Sequence, residues 1–525
     1  MKTVADEIFK EFREHSVSEF FRKNAAMLGY TGKIRSLTTI VHEGVTNSID
    51  ASEEMGVLPK VYVAIKKVNE EPEHFKIIFE DNASGIPEKF VPDVFGKMLA
   101  GTKLHRSMQS RGQQGIGVSG ACMFGQITSG KPATVMTSTG NGEITQTDVM
   151  IDVDKNEGKV VRSEKRKGKW RGTRVEIEAK DVSYMRSRYG PFNYLRMTAI
   201  ANPHVHLTFM EPDGALTVFE NATDKVPERP KSMPLHPWGI MSDDLLMLAK
   251  HTKGRNVVSF LSTELSRVSR KKADEVCKLA GVPVNKKPLE LTWEEAEHIV
   301  SAFKQVKLLA PPTSGLRPIG VADIEKGMRQ ILNPEFVYAL TRPPKVYRGG
   351  LPFVVEIGIA YGGNAGRLAE GKGEDDASEG EAGMDLIRFA NRAPLIFDQG
   401  GCAITAAARN IEWRRYGIDP AVAPLTLFVN VSSAYVPYTS AGKQSIAGES
   451  EIIAELRTAI MEAARELKKF LFHKIRLKER QERAGVFEEY LPVIARRAAS
   501  LAGLREPDIK PLLKKVAGVE NAGES

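Results

Sequence analysis

Between Ile34 and Glu54 apolar residues return every three or four positions, the period of a helix with one buried face. Val4, Ile8, Phe9 and Phe12 carry the same period into a helix within residues 1–30. The pattern then switches to alternation. Val61–Lys67 and Phe75–Glu80 predict strands, and Thr134–Ser138, Thr145–Val153 and Thr173–Ala179 repeat the signal. A helix is expected over Phe192–Ala201 and a strand over His204–Met210. From Asp81 to Gly130 glycine and short polar side chains dominate, which predicts loops around a site rather than core.

Pro212, Pro227, Pro230, Pro234 and Pro237 then mark a linker. Short helices are expected over Asp243–Ala249, Val257–Leu261, Arg267–Leu279 and Thr292–Gln305, closed by Pro311–Pro312. Val321–Leu332 reads as a helix, and Phe353–Tyr361 and Leu425–Val431 as buried strands. Gly362–Gly383 is rich in glycine and acid and predicts a mobile loop. Ile453, Leu456, Ile460, Ala464, Leu467 and Leu471 define the longest helix, Glu451 to about Glu482. Its length of ~48 Å exceeds what a compact domain requires and predicts a stalk or lever. After Gly485 a short helix with Arg496 and Arg497 and a basic patch at Lys510–Lys515 are expected.

Composition adds bounds. The chain has 525 residues, enough for about three or four domains. With 42% hydrophobic and 27% charged residues it is no collagen, disordered chain or disulfide scaffold. A net charge of +8 permits a polyanionic partner without establishing one. Cys122, Cys277 and Cys402 are far apart with no CxxC pair, which argues against a zinc site or disulfide framework. Neither a secretory signal nor a run of ~20 apolar residues is present, so an intracellular soluble protein is expected.

Four clusters carry candidate chemistry. Glu43, Asn47 and Asp50 fall at i, i+4 and i+7 and share one helix face. Glu43 could deprotonate a water and Asn47 could offer a neutral oxygen to Mg²⁺; a solvated helix face is the plainer reading. Asp81-Asn82-Ala83-Ser84-Gly85-Ile86 follows a strand. An Asp there can accept from an exocyclic amine and Gly85 can let the backbone approach a flat ring, although a simple turn fits too. Arg111-Gly112-Gln113-Gln114-Gly115-Ile116-Gly117-Val118 can turn N–H groups toward an anion, with Thr102 and Lys103 upstream able to touch phosphates across a flexible Leu104–Ser110. The run has neither Walker A nor Rossmann spacing. Thr173, after Gly172, could hold a water or be an ordinary strand-start residue.

Taken in order, E-x3-N-x2-D, D-N-x-S-G-I, G-x-x-G-x-G and G-T resemble the GHKL ATPase superfamily. The resemblance implies an ATP site with Glu43 as hydrolytic base, Asn47 as Mg²⁺ ligand, Asp81 on the adenine amine, Gly112–Val118 around the phosphates and Thr173 supporting Asp81. Within the superfamily, Ala280–Pro283, Leu309–Gly320 and Val436–Ala447 resemble the B-subunit family of topoisomerase VI, the type IIB enzymes. In that loop of the family a lysine reaches the γ-phosphate, and Lys443 stands at the matching position.

That resemblance implies an α+β multidomain chain. Residues 1–228 would be a GHKL α/β sandwich with an N-terminal dimerisation segment, and 229–308 a helix–two-turn–helix insert. Residues 309–484 would be a βαβ transducer with the long helix, and 485–525 a tail contacting an A subunit. It further implies ATP and Mg²⁺ as cofactors, ATP-driven self-association, an A₂B₂ complex with the cleaving A subunit, double-stranded DNA as partner, and a nucleoid-associated cytoplasmic location. No catalytic tyrosine is expected. A MutL-like repair ATPase is the alternative; it shares the site but lacks such an insert. Lys250, Lys253, Arg255, Arg267, Arg270, Lys271 and Lys272 crowd the insert, where phosphate binding and a solvated basic face are equally open readings.

Overall fold

The computed structural model describes residues 25–70, 73–99, 108–112, 115–367, 383–440, 442–505 and 507–512. The expected helix near Val4–Phe12, Thr102, Lys103, Gln113, Gln114, most of the acidic Gly362–Gly383 stretch and Lys514–Lys515 lie outside them.

The first sheet has eight strands: β1 (Lys60–Asn69), β2 (His74–Glu80), β3 (Ala133–Thr139), β4 (Glu143–Asp152), β5 (Glu157–Lys167), β6 (Arg171–Lys180), β7 (His206–Met210) and β8 (Leu216–Phe219). Their order is β5-β4-β3-β6-β2-β1-β7-β8, and every pairing is antiparallel except β1 with β7. Helices α1 (Lys33–Met55), α2 (Val91–Gly96), α3 (Gly117–Ser129) and α4 (Pro191–Ala201) accompany it. Leu37, Ile40, Val41, Val45 and Ile49 of α1 join Val63, Ile65, Ile77 and Phe79 in one core, the burial that the three-four spacing demands.

Two of these elements depart from the reading of Asp81–Gly130 as loops. The glycines of α3 serve close packing. A Cβ on Gly125 would fall 2.5 Å from Ile177 Cγ2 and 2.8 Å from the Glu178 carbonyl, so its absence lets the helix lie against β6. Strand β5 gave no alternation because nearly all of it is exposed.

Helices α5 (Ser242–His251), α6 (Val257–Glu264), α7 (Arg270–Ala280) and α8 (Trp293–Gln305) enclose a core of their own around Phe260, Val276, Ile299 and Phe303. Asn256, Ser269 and Thr292 cap α6, α7 and α8 with side-chain oxygens. The chain enters and leaves this insert at one place. Lys231 N–H donates to the Gly315 carbonyl at 3.2 Å, and Met233 packs with Leu316.

The second sheet is built from β9 (Phe336–Thr341), β10 (Lys345–Tyr347), β11 (Leu351–Tyr361), β12 (Met384–Ala390), β13 (Ala393–Pro394) and β14 (Leu425–Ser433), with helices α9 (Val321–Leu332) and α10 (Ala403–Arg409). Order β10-β11-β14-β12-β13 runs across it, β9 flanks β11, and β12 is parallel to β14. Within the apolar β11, Glu356 is fully buried. Its carboxylate accepts from the Ile319 and Gly320 N–H groups at 3.0 and 2.8 Å, which serves the N-terminus of α9, and from Asn430 Nδ2 at 2.8 Å.

Helix α11 runs Ser450–Ala502, 53 residues, past the expected end near Glu482 and through both Gly485 and Pro492. The Glu-, Arg- and Ala-rich segments on either side are strong helix formers, which carries the helix across two weak positions. Ile452, Leu456, Ile460 and Leu467 are buried; Phe472, Ile475, Val486, Tyr490, Val493 and Ile494 are exposed. Glu455 is buried and accepts from Arg342 Nε at 2.6 Å and pairs with Lys345 at 2.5 Å, fastening the first turns to β9 and β10. From Ala464 onward the helix, with Glu412–Asp419, forms a separate compact unit. Among the described residues no helix is long and apolar enough to cross a membrane.

Candidate active site

A cavity of about 590 Å³ opens between α1, the end of β2, the start of α3 and β6. Glu43, Asn47, Asp81, Gly85, Ile86, Gly112, Gly115–Val118, Thr173 and Lys443 all line it. Helix periodicity sets the first pair, since Glu43 and Asn47 are one turn apart on α1.

Glu43 and the Gly-rich loop are matched sterically. A Cβ on Gly117 would lie 1.9 Å from Glu43 Oε2, so glycine at the first residue of α3 lets the carboxylate take this position. Gly44 plays the same part on the other side, against the Phe79 ring at 2.6 Å. His42, beside Glu43, is lowered from its usual value by burial; Glu43 opposes this and Lys443 adds to it.

Asp81 sits just past β2 and is buried, 8% exposed. Its Oδ1 accepts from the Ala83 N–H at 3.0 Å and the Thr173 N–H at 3.1 Å, and the Ser48 side chain bonds it too. Burial nevertheless raises its pKa to about 6, because those neutral donors only partly replace water. Gly172, at φ 139°, brings β6 against it: a Cβ there would meet the Asp81 carbonyl at 2.0 Å. Gly85, at φ 71°, is required by the Ser138 carbonyl, 2.1 Å from where its Cβ would stand. The expected close approach at Gly85 is therefore already used by β3. Thr137 Oγ1 holds the Ile86 N–H at 2.8 Å and completes this wall.

Lys443 arrives from the second sheet's side on a short hairpin. Tyr438 bridges Ile446, and Lys443 itself has φ 52°, a left-handed conformation held by its N–H bond to the Ser440 carbonyl at 3.1 Å. The adjacent Gln444 is buried and its Oε1 accepts from the Ile396 and Phe397 N–H groups at 3.1 and 3.2 Å. Glu43 and Lys443, 400 positions apart, thus meet in one cavity.

Residues 35–175 match the model of the histidine kinase-, DNA gyrase B- and HSP90-like ATPases. Residues 311–483 match that of the topoisomerase VI B subunit transducer. The B subunit of type 2 DNA topoisomerase 6 from Thermococcus sibiricus is 50% identical over 99% of this chain and 98% of its own length. That of Thermococcus kodakarensis is 52% identical over 96% and 94%, and that of Methanothermobacter thermautotrophicus 48% identical over 98% and 97%. The chain belongs to this family, the ATPase subunits of the type 2 topoisomerases. Its fold is accordingly the expected α+β arrangement of a GHKL nucleotide-binding domain and a transducer, and the repair-ATPase alternative is not favoured.

Within this topoisomerase subunit two expected ligand-binding residues are placed elsewhere. Asp50 and Arg111 do not line the cavity; they bond each other, Arg111 Nη1 to Asp50 Oδ1 at 2.6 Å. The same guanidinium reaches Glu53 at 2.9 and 2.7 Å and Asn202 Oδ1 at 2.5 Å, while His204 Nε2 bonds Glu53 at 2.8 Å. The reason is position along the helix axis. It is not phase around α1, which Asp50 shares with Glu43, but distance along it: Asp50 and Glu53 stand about two turns or more, at least ~10 Å, further on, where the buried Arg111 cation balances them. Burial would raise the Glu53 carboxyl, but Arg111 and the His204 bond outweigh it and hold it well below its usual range.

Ser48, Thr137, Tyr30 and Gly44 were not singled out from sequence. Ser48 adjoins Asn47 inside the first motif and is within reach of the spacing; Thr137, mid-strand in β3, acts behind the cavity wall through the Ile86 N–H and carries no local signal.

Proposed function

We propose that the cavity binds ATP with Mg²⁺ and hydrolyses it, and that the cycle drives passage of one DNA duplex through another. The observation that carries this is the convergence of Glu43, Asn47, Asp81, Gly117 and Lys443 on one cavity. Asp81, fixed by two backbone N–H groups, presents its other oxygen to the adenine amine. Gly112–Val118, with Gln113 and Gln114, and Thr102 and Lys103 upstream, surround the phosphates. Glu43 takes a proton from the attacking water.

Asn47 fits a magnesium ion bound through phosphates. Its amide oxygen lies 3.8 Å from where a Cβ on Gly112 would be, facing the start of the Gly-rich loop. Among the described residues no group of three or more His, Cys, Asp or Glu could hold a metal alone, so one neutral oxygen completed by phosphate and water is the available chemistry. Magnesium, when bound, would offset phosphate charge. Lys443 meets the γ-phosphate and is the contact that distinguishes the triphosphate from the product.

Two such subunits associate through their N-terminal segments around DNA, in an A₂B₂ complex with the cleaving A subunit, as the relatives' designation as B subunits supports. Exposed Lys250, Lys253, Arg255, Arg267, Arg270 and Lys271 on the insert contact phosphates without reading sequence. The exposed apolar residues of α11 and the tail meet the A subunit; truncation at Gly485 is expected to abolish co-purification, and a complex that survives it would overturn this contact. The site is tested by ATP turnover with DNA and the A subunit present. Glu43→Ala is expected to lower kcat by about a thousandfold while nucleotide binding survives. Unchanged turnover in that variant would sink the reading.

A further inference from the structure

A second connection joins the Gly-rich loop to the transducer, independent of Lys443. Gln109 stands three residues before Gly112, is 5% exposed, and bonds across the domain boundary. Its Oε1 accepts from the Arg317 N–H at 2.8 Å; its Nε2 donates to the Arg317 carbonyl at 3.1 Å and to Ser432 Oγ of β14 at 3.4 Å. The next carbonyl, Ser110, accepts from Asn391 Nδ2 at 3.0 Å. Arg111 closes the set through Asn202, whose Nδ2 donates to the Arg392 carbonyl at 3.1 Å.

Asn391 and Arg392 form the two-residue turn between β12 and β13, with φ of 49° and 68°. That turn ordinarily calls for glycine. Here docking holds it: Asn391 also exchanges bonds with Ser433 of β14 at 2.8 and 2.9 Å, and Arg392 is buried with its Nη2 on the Pro318 carbonyl at 3.0 Å. Strain kept at a contact between domains is a sign of a functional junction.

We propose that Gln109–Arg111 is a coupling segment and Gln109 its positioning residue. It fastens the start of the Gly-rich loop to the 391–392 turn and to β14. A nucleotide-dependent shift of Gly112 then reaches the transducer by a route separate from Lys443, which is anchored through Gln444 to Ile396 and Phe397. The inference rests on the reading of the cavity as the ATP site.

The experiment uses the full chain with its A subunit and measures KM and kcat for ATP together with ATP consumed per supercoil relaxed. Gln109→Ala is expected to raise the ATP consumed per passage about fivefold or more, with KM within about twofold of wild type. Gln109→Glu keeps the acceptor for the Arg317 N–H and should fall between. Combining Gln109→Ala with Lys443→Ala should multiply the two losses of coupling, as separate routes require. Hydrolysis and relaxation falling in proportion, with the ratio unchanged, would mean a structural clasp only and overturn the proposal. If the alanine variant loses its folding transition, Gln109→Glu carries the same measurement. Glu43→Ala serves as the separate control: were it to hydrolyse ATP normally, the site reading would fail, not the coupling.

Discussion

Asp81 and Asp50 are both buried carboxylates within the same domain, and their surroundings divide them. Asp50 faces a guanidinium that also serves Glu53 and is itself bonded by Asn202. Asp81 faces only neutral donors, and burial lifts its pKa to about 6. A carboxylate balanced by a fixed cation holds structure. One left under-compensated at the rim of a cavity is kept for a ligand that brings its own donors.

The largest effect should come from breaking the balanced cluster. Arg111→Ala strands Asp50 and Glu53 without their cation and is expected to destabilise the protein by about 3–5 kcal/mol, read by denaturant unfolding. Glu53, held below its usual range, contributes stability above its unfolded pKa and loses it as pH falls through the folded value. Acid unfolding should therefore begin at higher pH in any variant that weakens the Arg111 pairing.

Asp81 should behave oppositely. Its folded pKa is raised from 3.8 to about 6, so the folded, ligand-free state binds the proton more tightly and the penalty is full above that pH. The penalty is about 3 kcal/mol at neutral pH, taken at 1.36 kcal/mol per pKa unit. Asp81→Asn should raise the Tm of the ligand-free protein and weaken ATP binding by roughly 10–100-fold, seen by calorimetry. A lower Tm in that variant would contradict the raised pKa.

A subtler test uses pH alone. Protonating Asp81 removes the acceptor for adenine, so ATP affinity should fall about tenfold between pH 7 and 5. Asp81→Asn, though weaker throughout, should lose that dependence. The smallest effect is expected at Lys443, which lines the same cavity. Lys443→Ala should reduce the preference for a triphosphate analogue over ADP by about tenfold and leave ADP binding unchanged.

The motifs were legible wherever local geometry decides function. Glu43 and Asn47 share a face because a helix has its period, and Asp81 ends a strand whose alternation is plain. Asp50 follows the same spacing yet lies outside the cavity, because spacing around a helix does not say how far along its axis the cavity extends. Arg111 read as part of a phosphate loop. Its partners lie 58, 61 and 91 positions away, and no local pattern reports them. Glycines misled in a similar way: those of α3 looked like loop residues, while Gly117 makes room for Glu43 and Gly125 for β6. The short α10 and β12 were missed because burial comes from neighbours distant in sequence.

The clasp at Gln109 has a consequence for synthesis. Its bond to Ser432 spans 323 positions. At ribosomal rates of roughly 5–20 residues per second, the partner emerges some 15–60 s after the glutamine does. The nucleotide domain is thus made well before the strand it is fastened to. The insert, with its own core, can fold meanwhile, so the last strand to be made is the one that brings the machine into gear.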